Sequence, residues 1–242
     1  MKVAAVQFKP VIGDLENNIN RHVALIELAV QEGADLVYFP ELSVTGYEAQ
    51  LAKSFALELK DNDFGIFQNL SDTHGVTIGV GVPLLSGDQV QIGMIWFAAD
   101  KPQASYKKQL LHSTELSFFV PGTEQLILHN GNDRLAPAIC YESLRPEHAD
   151  NAASMGTNVY LASVAESSTG LEGAMKHYSK IAKQHHMYVV LANCLGSCGN
   201  FMGTGHSASW DANGHLLAQM DGESEGILLV DTENRDTDII RI

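Results

Sequence analysis

Cysteine is scarce in this chain. Three residues in 242 do not make a disulfide framework, and the odd count leaves at least one thiol free. Long apolar runs are missing as well, and none approaches the length needed to span a bilayer. The opening Met1-Lys-Val-Ala-Ala-Val-Gln-Phe8 reads as a strand, without the longer apolar segment and small-residue cleavage site of a secretory leader. Cations are few: Lys and Arg number 15 against 29 Asp and Glu. The formal net charge of −14 argues against nucleic acid or an anionic membrane as a partner. No glycine-rich phosphate loop is present, and no Pro/Ser-rich linker, charge block or repeat divides the chain. The expectation is one domain, residues 1–242, in a cytoplasmic protein with no nucleotide or metal cofactor. What is present suits a substantial core, with 45% hydrophobic and 18% charged residues.

Periodicity supplies an architecture. Residues 3–8 form a strand; Ile19, Val23, Ile26 and Val30 then recur at helical steps, and Gly33 stops that helix before a short strand at 35–39. A second helical stretch is expected between about 48 and 73, anchored by Phe64, Phe67 and Leu70. Strand candidates at 76–82, 90–97, 125–129 and 135–139 follow with no convincing helix between them. Helices at 146–155 and 171–186 bracket a strand at 159–162, and strands at 188–192, 205–210, 216–220 and 226–230 close the chain. Helices flanking runs of paired strands suggest two packed sheets covered by helices, with a three-layer doubly wound sheet as the alternative.

Cys140 carries the chemistry. In Leu135-Ala-Pro-Ala-Ile-Cys140-Tyr-Glu-Ser an apolar strand delivers a thiol to a turn before a helix, where the Tyr141 N–H can face a developing oxyanion. A thiol is weakly ionised at neutral pH and needs a base or a cation nearby. Glu41, closing Leu36-Val-Tyr-Phe-Pro-Glu41, and Lys108, closing Tyr106-Lys-Lys108, occupy similar strand-end settings. Successive strand residues face opposite ways, so only one of Lys107 and Lys108 enters such a site. Cys194 and Cys198 form a C-x₃-C without a second ligand pair, and His185–His186 diverge on a helix, so neither reads as a metal site. Glu142 is expected to pair with Arg145. Glu166–Thr169, His177 and Tyr178 are expected to help shape a pocket.

Phe39-Pro-Glu41-Leu-Ser-Val-Thr-Gly46-Tyr47, Tyr106-Lys-Lys108-Gln-Leu and Ile139-Cys140-Tyr-Glu resemble, in order and spacing, the three signature motifs of the nitrilase superfamily, the carbon–nitrogen hydrolases. Val3-Ala-Ala-Val-Gln7-Phe, Val189-Val-Leu-Ala-Asn193 and Gly205-His-Ser207 to Gly214 resemble other strands of that family, so the likeness covers nearly the whole chain. It implies a four-layer α-β-β-α sandwich. It implies Cys140 as nucleophile, Glu41 as general base and acid, and Lys108 with the Tyr141 N–H as oxyanion donors. Glu115 then positions the lysine or touches substrate, and Tyr47 lines the pocket or belongs to the core. The implied activity is hydrolysis of a small linear amide or carbamoyl compound. The alternatives are a nitrilase, whose members typically carry Trp where this chain has Tyr141, and a catalytically silent binding module, which would require a broken triad. The resemblance also implies a homodimer or larger even oligomer, pairing near the nucleophile and through residues 231–242. Two departures stand out: Leu110 where many members have His, and Ile181-Ala-Lys-Gln184 in place of Arg-Ala-x-Glu.

Overall fold

Alternation along the first strand sets the layering. In the computed structural model, which describes residues 1–58 and 64–242, β1 (Lys2–Gln7) sends Val3 and Ala5 into one apolar cluster and Ala4 and Val6 into another. A strand buried on both faces must lie between two layers. Six more strands complete its sheet: β2 (Leu36–Tyr38), β3 (Thr77–Ser86), β4 (Gln89–Phe97), β5 (Ala104–Lys107), β14 (Gly226–Asp231) and β15 (Thr237–Arg241). Their order is β15-β14-β1-β2-β3-β4-β5.

A second sheet contains β6 (Leu128–Asn130), β7 (Asp133–Ile139), β8 (Val159–Val164), β9 (Tyr188–Asn193), β12 (Ala208–Trp210) and β13 (Leu216–Gln219) in the order β13-β12-β9-β8-β7-β6. Its strands β7, β8 and β9 run parallel. Tyr38, Met94 and Trp96 of the first sheet meet Leu161, Val190 and Ala192 of the second in a shared core. The helices α1 (Leu15–Gln31) and α3 (Gly65–His74) cover the outer face of the first sheet, where Ile26 and Phe67 pack with Val37 and Ile78. The helices α4 (Pro146–Ser154) and α5 (Ser168–His185) cover the second, where Ala149 and Ile181 pack with Ala138 and Leu191. This is the four-layer α-β-β-α order, not the three-layer alternative. Hydrogen bonds stitch the layers, among them those donated by Tyr38 Oη to Val190 O at 2.7 Å, Ser163 Oγ to Phe39 O at 2.8 Å and Ser207 N to Gln7 Oε1 at 2.9 Å. Tyr38 and Ser163 are fully buried, and their carbonyl partners satisfy hydroxyls that would otherwise be costly to bury.

Some elements depart from the sequence reading. The stretch expected as one helix at 48–73 contains α2 (Ala52–Glu58) and α3, and residues 59–63 lie outside the described residues. In α1 the buried face is rotated by about one position from the apolar stripe: Asn18, His22, Leu25, Ile26 and Ala29 are buried, while Ile19, Val23 and Val30 are half-covered. The reason is that this helix packs on a polar loop as well as on the sheet. The hairpin of β10 (Leu195–Cys198) and β11 (Phe201–Thr204) was not anticipated, because Gly196, Gly199 and Gly203 erase its apolar alternation. The tail expected to seek cover forms β15 instead. Its Ile239 and Ile240 pack on the molecule's own cores.

Candidate active site

Three strand ends converge at the seam between the sheets. Glu41 stands just beyond β2 and opens a turn in which Leu42 adopts a positive φ of 50°. Gly81 of β3 permits this turn, since a Cβ there would lie 2.4 Å from Pro40 O and 2.5 Å from the Leu42 nitrogen. From the other side α1 holds the loop. Asn18 Nδ2 donates to Val11 O at 2.7 Å and Val44 O at 3.0 Å, and His22 Nε2 lies 2.9 Å from Ser43 Oγ. His22 Nδ1 faces Asn18 O at 2.7 Å, so it carries the proton, and Nε2 accepts from the serine hydroxyl. Burial drives the His22 pKa down to about 3, keeping the ring neutral.

Lys108 follows β5 directly. Its backbone donates to Ile92 O and accepts from Gly122 N, both at 2.8 Å. Its side chain is fully buried, with Nζ 2.7 Å from Glu41 Oε1 and 2.7 Å from Glu115 Oε1, whereas Lys107 is half-exposed. Glu115 also accepts from Tyr47 Oη at 2.9 Å and, through Oε2, from His112 N at 2.7 Å. It is therefore a fixed partner of the lysine rather than a loop acid.

Cys140 is the first residue after β7 and adopts a positive φ of 48°, a strained conformation for a non-glycine residue. The next residues form a 3₁₀ turn, Cys140–Leu144, before α4 begins at Pro146. The first amides of such a turn, Tyr141 N–H included, have no acceptor within it. Cys140 Sγ lies 3.7 Å from Ala165 O, at the end of β8.

Glu142 takes a place the sequence did not disclose. It is buried and unpaired with Arg145, which instead reaches Glu147 and lies over the Tyr141 ring. Glu142 Oε1 accepts from Ile139 N at 2.7 Å and Tyr106 Oη at 2.7 Å; Oε2 accepts from Gln109 N at 2.6 Å and Leu110 N at 3.2 Å. One carboxylate thus ties the residue before Cys140 to the two residues after Lys108. His148 Nε2 extends the network, 2.8 Å from Tyr106 Oη, and Nδ1 lies 2.7 Å from Tyr160 Oη. The bond from the Leu110 amide to Glu142 uses backbone, so position 110 tolerates a residue without a polar side chain.

The electrostatics follow from one buried ammonium among several acids. Burial pushes the Glu41 carboxyl up to about 7, opposed by Lys108 and reinforced by Glu115. Burial opposes the charge on Lys108, but Glu41, Cys140 and Glu115 together hold its pKa above the usual lysine value. Burial, followed by the negative charge of Glu41, raises the Cys140 thiol well above its ordinary range, with Lys108 pulling the other way. The resting sulfur is accordingly a thiol. Glu41 Oε2 is buried and has no hydrogen-bond partner among the described residues.

Tyr47, Glu115, Cys140 and Tyr141 line one cavity of about 850 Å³, with Glu41 and Lys108 buried against it. Glu166, Ser167 and Thr169 line it too, as expected, and the unanticipated hairpin contributes Gly199, Asn200 and Phe201. His177 and Tyr178 are not among its lining residues; Tyr178 is buried behind the nucleophile turn, its hydroxyl 2.7 Å from Ser143 Oγ. Cys194 and Cys198 meet in the interior with Sγ atoms 2.8 Å apart. Among the described residues no group of three or more His, Cys, Asp or Glu is placed to hold a metal ion. No helix among them is long and apolar enough to cross a membrane.

The carbon-nitrogen hydrolase family model matches residues 2–238. The chain belongs to that family. A glutamine-dependent NAD(+) synthetase of Thermotoga maritima is 25% identical over 245 residues, a match covering 96% of this chain and 42% of the synthetase. The chain therefore spans less than half of that relative. A probable nitrilase of Schizosaccharomyces pombe is 23% identical over 234 residues, covering 93% of this chain and 86% of its own. Among solved structures, an amidase of Nesterenkonia sp. AN1 superposes with a TM-score of 0.88 at 24% identity, covering 97% of this chain and 93% of its own, which shows a shared fold. A mutant of that amidase, with acrylamide joined by Michael addition to its active-site cysteine, superposes with a TM-score of 0.87 at 25% identity over 96% of this chain and 92% of its own.

Proposed function

We propose that this carbon–nitrogen hydrolase cleaves the C–N bond of a small linear amide or carbamoyl compound through a thioester on Cys140. The observation that carries the reading is the buried Oε2 of Glu41, which takes no other donor among the described residues, in a carboxyl raised to about 7 that faces the Cys140 thiol. A carboxylate with a vacant acceptor at that pKa is poised to take a proton and give it back. As the sulfur attacks the carbonyl carbon, its proton passes to Glu41 and the C=O electrons move onto oxygen. Lys108 Nζ and the Tyr141 N–H stabilise that oxyanion; removal of one such donor typically costs about 10²–10³ in rate. Collapse expels the amine or ammonia, which takes the proton from Glu41. Water then attacks the thioester and gives its proton to Glu41; a second collapse releases the acid and returns a proton to sulfur. Glu115 and Tyr47 act by holding Lys108. A nitrilase activity is the second reading, favoured by nitrilase relatives such as that of Pyrococcus abyssi, 28% identical over 164 residues.

The test is an ammonia-release screen over aliphatic amides, dicarboxylic monoamides, N-carbamoyl compounds and nitriles. Rapid quenching of a turning-over mixture should leave an acyl mass on the peptide containing Cys140. Turnover retained by Cys140→Ala would exclude the thioester.

A further inference from the structure

The charges around the cavity are one-sided. Its ionisable lining comprises Glu48, Glu115, Glu166 and His112 besides the tyrosines and Cys140, and no Lys or Arg is found there among the described residues. Lys108 lies beneath, but its charge is already met by two carboxylates at 2.7 Å, Glu41 and Glu115. Glu48 and Glu166 are left facing the space that the rest of a substrate must occupy when its carbonyl reaches Cys140. His112 also lines the cavity, with its Nδ1 engaged by Thr114 Oγ1 at 2.8 Å.

Glu166 is held in place for such a role. It follows Ala165, whose carbonyl touches the Cys140 sulfur. Its own N–H donates to Asn193 Oδ1 at 2.8 Å, and its carbonyl accepts from Thr204 N at 3.1 Å. Ser167 N donates to Oε1 at 3.0 Å, leaving Oε2 available. Gly170 gives the carboxylate room, since a Cβ there would sit 2.2 Å from Oε1. This half-buried group therefore keeps a defined position instead of sweeping through solvent. A concave site lined by one sign of charge also concentrates opposite charge, and the net charge of −14 adds to the field.

Resting on the amidase reading, we infer that the cavity selects amides whose far end carries a cationic ammonium group, with Glu166 as the principal specificity residue and Glu48 as its support, and that it rejects amides ending in a carboxylate. The ammonium donates to the vacant Glu166 oxygen, whereas a carboxylate tail meets like charge with no cation to pair it.

The experiment compares δ-aminovaleramide, hexanamide and adipamate, which share four methylenes and end in ammonium, methyl and carboxylate, together with shorter homologues of each. We expect kcat/KM to be at least about 100-fold higher for the cationic than for the anionic member, a ratio that shrinks with added salt. Glu166→Gln should reduce that ratio by about tenfold or more, and Glu48→Gln by less. An anionic tail processed as well as the cationic one, or a ratio unmoved in both variants, overturns the inference while leaving amide hydrolysis intact. Titration of the same compounds into Cys140→Ala by calorimetry separates the two readings. Cationic binding over anionic without turnover in the wild type would support the cavity's selectivity and remove the amidase reading. Equal or reversed affinity overturns the selectivity.

Discussion

At the scale of single residues the site is a contest over one proton between Glu41 and Cys140 beside the Lys108 ammonium. Because burial raises Glu41 to about 7 and the base must be ionised to act, kcat/KM should rise with pH through about 7 and fall below it. A profile flat from pH 5 to 8 would remove Glu41 from this role. Glu41→Gln keeps the shape but not the acceptor and should cost about 10³-fold or more in kcat. Cys140→Ala should abolish turnover with the fold retained, judged by circular dichroism. Lys108→Met should lower kcat by at least about 10²-fold, whereas Lys107→Met, whose side chain lies outside the cluster, should change it little. These four positions were readable in sequence because each stands in a short local motif whose strand-end setting is itself local. Glu142 was not. Its nearest charged neighbour along the chain is Arg145, and nothing local reveals that three donors from residues 106–110 will join the Ile139 amide on it.

At the scale of elements the question is what keeps three loop ends in register. Glu142 answers for two of them. Glu142→Ala would leave Ile139, Gln109 and Leu110 amides and the Tyr106 hydroxyl without their acceptor, a loss of roughly 3 kcal/mol or more. For a chain of this size that lowers Tm by about 6–12 °C, measurable by calorimetry, and kcat should fall because Lys108 and Cys140 lose their common anchor. For the third loop, Gly81→Ala should push Pro40–Leu42 off β3 and depress kcat far more than stability; unchanged kcat would mean that the Glu41 turn tolerates the displacement. Most strands were legible because both faces of a sandwich strand are apolar and bounded by turn residues. The face of α1 was misjudged because Asn18 and His22, polar by composition, are buried to clamp the Glu41 loop. The β10–β11 hairpin escaped because its glycines serve close approaches: a Cβ at Gly203 would sit 2.3 Å from Cys194 Sγ.

At the scale of the whole molecule we expect a homodimer or larger even oligomer. Residues 231–242 are spoken for in part by β15, but this strand is the outer edge of its sheet and Ile242 is 64% exposed, which leaves room for a partner. Light scattering at micromolar concentration should give a mass of at least two chains, and a monomer would refute the assembly. Amides should outcompete nitriles of the same carbon skeleton, since Lys108 and the Tyr141 N–H suit an oxyanion directly; a tenfold preference for nitrile, about 1.4 kcal/mol, would reverse that ranking. Glu41 and Lys108 descend from one sheet, Cys140 and Ala165 from the other, and the two are joined across their interface by the hydroxyls of Tyr38 and Ser163. Catalytic competence is therefore a gauge of how well two halves stay mated, and neither half owns it. Under mild denaturant, turnover should vanish before the far-ultraviolet dichroism of the sheets does. Tyr38→Phe, which touches no substrate, should widen that gap.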